Sequence, residues 1–142
     1  MSFCYKYPRP AATVDALVFS TDKKVLLIKR KNPPFEGLWA LPGGFLNIDE
    51  TLESAVAREL FEETGIKNID LKQFKTFGDI NRDPRHRTLT VTFIGIINNS
   101  NDYLPTANDD ASESNWFDFE DLPNLAFDHS KIIMEAILKI RI

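Results

Sequence analysis

Three glutamates stand close together on one predicted helix of this 142-residue chain. Glu62 follows Glu59 by three residues and Glu63 follows it by four, so the three carboxylates project from adjoining positions of one helix face. Unit charges about 6 Å apart repel by roughly 3 kcal/mol per pair at an effective dielectric constant near 20, before screening. A hard divalent cation such as Mg²⁺ offsets this repulsion, because it accepts oxygen ligands and bridges carboxylates to substrate phosphates. The spacing therefore predicts a metal-binding cluster.

A glutamate-rich helix face can also be an ordinary solvated surface. Arg58 stands four residues before Glu62, and such a pair supports an exposed helix. The wider pattern reads Gly44, five residues, Glu50, seven residues, Arg58-Glu59-Leu60, one residue, Glu62-Glu63, one residue, Gly65-Ile66. If each fixed position is met by chance about once in 15 residues, seven together arise roughly once in 10^8 windows. The full pattern therefore favours the metal site over the solvated surface.

The residues around the glutamates have predicted structural roles. Gly43 and Gly44 permit a tight turn and also let a backbone carbonyl approach a metal, and we expect both roles. Glu50 precedes the first helical turn, where it is predicted to pair with Arg58 and brace the loop against the helix. Gly65 is the predicted C-terminal stop of the helix.

The elements that position these residues follow from the apolar pattern. Residues 11–20 and 25–30 are apolar, β-branched runs separated by a short polar turn, which predicts a hairpin. Residues 51–64 have apolar positions at helical spacing, with Thr51 or Asp49 as the N-cap. The remaining predicted elements are a short strand within residues 37–41, strands over 71–80, 88–97 and 116–119, and a helix over 130–140.

Composition restricts the class of protein. With 43% hydrophobic and 27% charged residues, residues 1–142 fit one compact domain. A net charge of −4 argues against a broad basic surface, so a nucleic acid partner is not expected. The single cysteine, Cys4, excludes an internal disulfide, and the first residues do not resemble a signal peptide, which predicts a cytoplasmic protein. No apolar run is long enough to predict a membrane span.

The pattern over residues 44–66 resembles the Nudix box without a mismatch. The order of the preceding strands, residues 41–44 and the later acidic-Trp-Phe segment is also similar to that of Nudix hydrolases, over nearly the whole chain. The resemblance implies an α/β fold, an α/β/α sandwich around a mixed β-sheet. It also implies an enzyme that hydrolyses a nucleoside diphosphate linked to another group, by water attack on phosphorus with Mg²⁺ or Mn²⁺.

The same resemblance assigns roles within the box. It implies that Glu59 and Glu63 ligate metal, and that Glu62 supplies a further ligand or orients a metal-bound water. The carbonyl of Gly43 or Gly44 is a further candidate ligand.

Family members often draw a general base from a second acidic residue outside the box. Glu113, three residues before Trp116, is the first candidate, with Asp109 and Asp110 as alternatives. An ordinary solvated loop explains the same acidic residues equally well. Glu62 remains a further candidate for the base.

Two segments outside the box resemble ADP-ribose pyrophosphatase-like Nudix proteins, residues 77–87 and residues 125–129. Arg82, Arg85 and Arg87 in the first segment provide planar, permanently charged groups suited to a phosphate or ribose-phosphate. Surface ion pairing is the alternative role, and ligand contact is preferred. One departure from the relatives is Ile80, where they commonly carry proline.

Aromatic and histidine side chains leave two interpretations open. Phe35 and Trp39 are candidates to stack on a nucleobase, although an aromatic residue beside a strand is more often part of the core. His86 and His129 are predicted to be structural rather than metal ligands.

The leading functional hypothesis is hydrolysis of ADP-ribose to AMP and ribose 5-phosphate, with a small-molecule nucleotide as the partner. A nucleoside triphosphate pyrophosphohydrolase is the second hypothesis, and a sensor domain that binds ADP-ribose or a nucleotide sugar is the third. The complete box, and the lack of a winged-helix segment within these 142 residues, favour the enzyme over the sensor. The resemblance also implies a homodimer.

Overall fold

The computed structural model describes residues 2–106 and 111–142. These residues form strands β1 (Ala11–Ser20), β2 (Lys24–Arg30), β3 (Trp39–Ala40), β4 (Gly43–Phe45), β5 (Lys72–Phe77), β6 (Thr88–Ile97) and β7 (Ala111–Asp118). They also form helices α1 (Leu52–Thr64) and α2 (His129–Lys139) and a 3-10 turn over Ser100–Asp102. Within the described ranges, no helix is long and apolar enough to cross a membrane.

The strands form one mixed sheet. Its order is β3-β2-β1-β6-β5, while β4 pairs with β1 and β7 pairs with β2. β1 and β6 run parallel through ten paired positions, from Ala11 with Thr88 to Ser20 with Ile97, and the other pairs are antiparallel. β1 and β2 form the predicted antiparallel hairpin. The prediction of an α/β fold with a mixed sheet is therefore confirmed.

The two helices pack on opposite faces of this sheet. Successive side chains of a strand point to opposite faces, and the two apolar clusters divide β1 accordingly. Val14, Ala16 and Val18 of β1 pack with apolar residues of α1. Leu17 and Phe19 pack with apolar residues of α2. β1 is buried from both sides, which explains its nearly continuous apolar sequence.

Local signals determine where α1 begins and ends. The Thr51 hydroxyl accepts a hydrogen bond from the Ser54 N–H at 3.1 Å, so Thr51 rather than Asp49 is the N-cap. Gly65 follows the helix with φ +74°, and its N–H donates to the Phe61 carbonyl at 2.8 Å. This left-handed conformation suits glycine and ends the helix directly after the glutamates.

β7 is longer than the sequence predicts. It begins at Ala111, whereas the apolar pattern indicated only residues 116–119. Ser112, Glu113 and Ser114 are polar residues of its first half, and Glu113 and Ser114 are paired with Lys29 and Ile28 of β2. A half-exposed strand at the edge of a sheet tolerates such residues, so an apolar run does not mark its start.

Candidate active site

A cavity of about 370 Å³ lies where β1, β2 and β4 meet α1 and the loop over residues 81–87. Its lining includes two carboxylates and two glycines from the 44–66 pattern or next to it: Glu59, Glu63, Gly43 and Gly44. The lining also includes basic, acidic and aromatic residues: Arg30, Arg82, Asp83, Arg85, Phe45 and Phe127. The cavity therefore gathers carboxylates and arginines around one space.

Gly43 holds Glu63 in place. The Gly43 N–H donates to Glu63 Oε1 at 2.7 Å, and the Glu63 residue is only 6% exposed. β4 pairs with β1 in a register that sets Gly43 opposite Asp15. A Cβ atom at Gly43 would lie 2.2 Å from the Val14 carbonyl oxygen, so the close strand pairing needs glycine. The hydrogen bond from Gly43 therefore fixes the Glu63 carboxylate in the cavity lining.

Gly44 lies against the second carboxylate. A Cβ atom on Gly44 would lie 2.6 Å from Glu59 Oε1, so the backbone and the carboxylate are in close contact. The Glu59 side chain is 14% exposed, and its Oε1 accepts a hydrogen bond from Arg58 Nη1 at 2.9 Å. Glycine at this position lets Glu59 approach the strand that carries Gly43 and Gly44.

Arg58 connects the loop to the helix. Its Nε and Nη2 donate to the two carboxylate oxygens of Glu50 at 3.0 and 2.6 Å, which is the predicted pair. Its Nη1 donates to Glu59 and to Glu62, at 2.9 and 3.2 Å, and its Nη2 also donates to the Phe45 carbonyl at 3.2 Å. Hydrogen bonds from Arg58 hold the pKa of the Glu50 carboxyl below its usual value. Arg58 thus offsets the mutual repulsion of the carboxylates.

The donor set fits a hard divalent cation. Glu59, Glu63 and the backbone carbonyls of Gly43 and Gly44 would supply oxygen ligands, which Mg²⁺ and Mn²⁺ prefer. Glu62 does not line the cavity, and its half-exposed side chain is bonded to Arg58. In the described ranges, no three His, Cys, Asp or Glu side chains are gathered into a metal-binding group. Two of the three predicted carboxylates therefore reach the cavity, and a cation there needs backbone, water or substrate ligands as well.

Two of the three predicted arginines line the cavity. Arg82 is buried, and its guanidinium makes a bidentate contact with Asp128 at 2.7 and 3.0 Å. Arg85 pairs with Asp83 at 2.8 and 3.1 Å, and its side chain is 36% exposed. Burial acts to raise the pKa of Asp83, but hydrogen bonds from Arg85 outweigh it and lower the pKa overall. Arg82 is therefore fixed, whereas Arg85 has the exposure that a ligand contact requires.

Other predicted residues lie outside the cavity. Arg87 donates through Nη1 to the Gly78 carbonyl at 2.6 Å, so it braces the loop and does not line the cavity. Glu113 is an exposed residue of β7 and pairs with Lys29 at 3.3 Å. Its position away from the cavity argues against direct contact with a ligand there. Asp109 and Asp110 lie outside the described residues.

The two predicted stacking residues also lie outside the cavity lining. Trp39 is half-buried and packs edge-to-face on Phe117, with ring centroids 4.7 Å apart. It belongs to the apolar cluster under α2, which is the core role considered for it. Phe35 packs in the same way on Phe127 at 4.8 Å, and it is Phe127 that lines the cavity.

The cavity lining also contains two buried polar side chains, Asp15 and His129. Asp15 is 6% exposed in the middle of β1 and accepts a hydrogen bond from the Thr90 hydroxyl. Burial raises the pKa of Asp15 to about 7, partly offset by that bond. His129 accepts a hydrogen bond at Nδ1 from the Leu41 N–H at 3.0 Å. The available sequence signal was one aspartate within an otherwise apolar strand.

His129 is neutral in the fold. Its Nε2 lies 3.7 Å from Asp15 Oδ1, which is too long for a hydrogen bond. Burial lowers the pKa of His129 to about 3, with Asp128 opposing the shift and Arg82 and Arg30 adding to it. Because burial favours the neutral form of both Asp15 and His129, their contact is not an ion pair at neutral pH. The structural role predicted for His129 agrees with its bond to Leu41.

Replacing His129 with glutamine is expected to change how stability depends on pH. At pH values between its ordinary pKa of 6.5 and its folded pKa of about 3, the histidine is neutral in the folded protein and takes up a proton on unfolding. This group therefore lowers the stability of the wild type as the pH falls through that range. Asp15, with a raised pKa, has the opposite effect in both proteins. The free energy of unfolding of the variant minus that of the wild type should therefore increase by up to roughly 3 kcal/mol when the pH is lowered from 6.5 to 4. Urea unfolding at each pH measures this difference. A difference that does not change with pH would contradict a neutral, buried His129.

Comparison with known proteins identifies relatives across most of the chain. The family model described as NUDIX domain matches residues 9–136. An ADP-ribose pyrophosphatase of Methanocaldococcus jannaschii is 45% identical over 130 residues, covering 91% of this chain and 74% of that protein. An ADPR responsive transcriptional repressor of Acinetobacter baylyi is 36% identical over 141 residues, covering 94% of this chain and 56% of that protein.

A solved structure is similar in fold as well as in sequence. It is the NUDIX domain of Shewanella oneidensis NrtR in complex with ADP ribose, with a TM-score of 0.87 and 34% identity. The alignment covers 95% of this chain and 91% of that chain. The present chain is therefore similar both to a protein named as an enzyme and to a domain that binds the same nucleotide.

Proposed function

Because the chain belongs to the NUDIX domain family of hydrolases, we propose that residues 1–142 act as one catalytic domain that hydrolyses ADP-ribose to AMP and ribose 5-phosphate. The observation that supports this proposal most strongly is that Glu59, Glu63, Arg82 and Arg85 all line one cavity. A cation held by the carboxylates, together with the arginines of the same cavity, would neutralise the negative charge of a pyrophosphate. The name of the archaeal relative supports ADP-ribose as the substrate.

The proposed metal site uses Glu59, Glu63 and the carbonyl of Gly44 in this chain. Nudix hydrolases generally use divalent metal ions, and the oxygen donors favour Mg²⁺, with Mn²⁺ as a substitute. When bound, such an ion polarises the pyrophosphate and lowers the pKa of the attacking water. Gly43 orients Glu63 through its N–H, and Arg58 orients Glu59 through Nη1. These contacts place both carboxylates before substrate arrives, which is the main protein contribution to phosphoryl transfer.

The arginines orient the substrate in this proposal. Arg82 is held by Asp128 and provides a fixed positive charge beside the cavity. Arg85 is more exposed and carries a planar group that can contact a phosphate through two hydrogen bonds. Arg87 supports the loop through the Gly78 carbonyl.

The attacking water must transfer its proton to a base. The candidates are Glu62, Glu113, Asp109 and Asp110, and amide variants of each distinguish them. The variant that lacks the base should lose kcat and the acidic limb of the pH–rate profile while KM changes little. Glu62 is the nearest of the described candidates in sequence to the cavity carboxylates and shares Arg58 with Glu59.

A second candidate function is binding of ADP-ribose without turnover. The repressor relative and the NrtR domain in complex with ADP ribose favour this alternative. The complete glutamate pattern favours hydrolysis, because a sensor does not need two oriented carboxylates beside the nucleotide. The repressor also qualifies the expectation that nucleic acid is not a partner, although the net charge of −4 supports a small-molecule nucleotide. The homodimer and the cytoplasmic location remain predictions, the first testable by light scattering.

Product analysis tests the proposed function directly. Purified protein is incubated with ADP-ribose, NADH, dinucleoside polyphosphates and nucleoside triphosphates, with Mg²⁺ or with a chelator. We expect AMP and ribose 5-phosphate from ADP-ribose, only with the metal. Preferential release of pyrophosphate from nucleoside triphosphates would instead establish the second hypothesis, a nucleoside triphosphate pyrophosphohydrolase. Binding of ADP-ribose with no product would establish the sensor.

A further inference from the structure

Two aromatic side chains line the cavity close to the proposed metal site. Phe45 follows Gly44 directly in β4 and is 40% exposed. Phe127 is half-buried and precedes α2 by two positions. Both rings belong to the cavity lining, unlike those of Phe35 and Trp39. A ligand in the cavity can therefore reach Phe45 and Phe127.

The Arg85 guanidinium lies over the faces of both rings. Its central carbon is 5.2 Å from the centroid of Phe45 and 5.7 Å from that of Phe127. A guanidinium is planar and stacks on an aromatic face, as a nucleobase does. Arg85 therefore marks two ring faces that accept a flat, polar group at the edge of the cavity.

Phe127 is held in a conformation that bulky residues rarely adopt. Its φ is +51°, and that of Phe35, which packs on it, is +61°. The Arg30 guanidinium lies 5.0 Å from the Phe127 ring centroid, and its Nε donates to the Pro34 carbonyl at 2.8 Å. Left-handed backbone at a non-glycine residue persists only where its surroundings enforce it, and it concentrates at functional sites. Phe35 and Arg30 thus fix the Phe127 ring against the cavity.

We propose that Phe45 and Phe127 form a stacking slot for the nucleobase of the nucleotide substrate, and that the base displaces the Arg85 guanidinium from their ring faces. The proposal rests on the proposed function for the class of ligand, a nucleotide. Because Phe45 adjoins Gly44, a base in this slot lies next to the carboxylates that would hold the metal ion. The slot binds the base through ring faces, whereas the arginines and the metal bind the phosphates.

Calorimetric titration of AMP and of ribose 5-phosphate tests the slot without requiring turnover. AMP contains the base and ribose 5-phosphate does not. The variants are Phe45→Leu and Phe127→Leu, which keep apolar bulk but remove the ring. Phe61→Leu is the matched control, because Phe61 is an exposed phenylalanine of α1 outside the cavity. We expect the Kd of AMP to rise about tenfold in each slot variant, with ribose 5-phosphate and the control unchanged.

Three other results of the titration would overturn the slot. Unchanged AMP affinity in a folded Phe45→Leu or Phe127→Leu protein would show that the rings do not bind the base. Equal weakening of AMP and ribose 5-phosphate would show general disruption of the cavity, and no AMP binding by wild type would exclude the slot. If Phe127→Leu does not fold, Phe45→Leu decides. Ring-dependent AMP binding without hydrolysis of ADP-ribose would instead overturn the proposed function and leave the slot standing.

Discussion

Replacing Glu63 with glutamine is expected to lower kcat for ADP-ribose by at least about 100-fold and to leave the fold intact. Glutamine keeps the size of the side chain and an oxygen that can accept the Gly43 N–H, which donates to Glu63 at 2.7 Å. It removes the negative charge, so a divalent cation loses its most deeply buried carboxylate ligand. Steady-state rates measured over a range of Mg²⁺ concentrations should show both a lower kcat and a higher metal requirement.

Glu53→Gln is the matched control for this variant. Glu53 is an exposed glutamate of the same helix, and it accepts a hydrogen bond from the Gln73 side chain at 3.0 Å, away from the cavity. Its replacement should change kcat by less than about twofold, because surface charges so placed have small effects. Full activity of Glu63→Gln at low Mg²⁺ would exclude Glu63 as a metal ligand.

The sequence predicts the elements that carry the site because their signals are local. The cap Thr51, the stop Gly65 and the apolar spacing between them define α1 to within one residue. Which of the carboxylates line the cavity is less predictable from the sequence. Glu62 shares a helix face with Glu59 and Glu63, yet it lies outside the cavity and accepts a hydrogen bond from Arg58. The same guanidinium also binds Glu50, so the position of Glu62 depends on a contact outside the helix. Helical spacing gives the face of a side chain but not its partner.

The arginine loop shows the same limit at longer range. Three arginines between positions 82 and 87 are equivalent by composition, but their partners differ. Arg82 is bound by Asp128, 46 residues away along the chain. Arg85 is bound by Asp83 within the loop, and Arg87 by backbone carbonyls. Only the tertiary fold determines which guanidinium is buried and which is exposed to a ligand, so the sequence could not rank them.

Aromatic residues were the hardest to assign from sequence. Trp39 and Phe35 stand beside predicted strands, and the residues that reach the cavity are Phe45 and Phe127. Phe45 belongs to the glutamate pattern at a position that the pattern leaves variable. Phe127 depends on a left-handed backbone conformation that no sequence rule predicts for phenylalanine.

Alanine substitutions at two adjacent glycines of β4 should have different effects. Gly43→Ala should lower stability, whereas Gly44→Ala should lower kcat. At Gly43 the new Cβ would lie 2.2 Å from the Val14 carbonyl oxygen, a backbone atom that pairing of β4 with β1 holds in place. Strand pairing must open to relieve this clash, so we expect a loss of about 3 kcal/mol in the free energy of unfolding. Urea denaturation followed by circular dichroism measures it.

At Gly44 the added Cβ would clash with a side-chain atom instead of a backbone atom, so the expected result differs. The new Cβ would lie 2.6 Å from Glu59 Oε1, the end of a flexible side chain that can turn aside. Gly44→Ala should therefore fold with nearly wild-type stability but displace Glu59, lowering kcat about 10- to 100-fold. The two variants are controls for each other, because they make the same chemical change at adjacent positions. If Gly44→Ala instead lost stability and kept its kcat per folded molecule, Glu59 would not need the position it occupies, and the close contact between glycine and carboxylate would serve packing rather than chemistry.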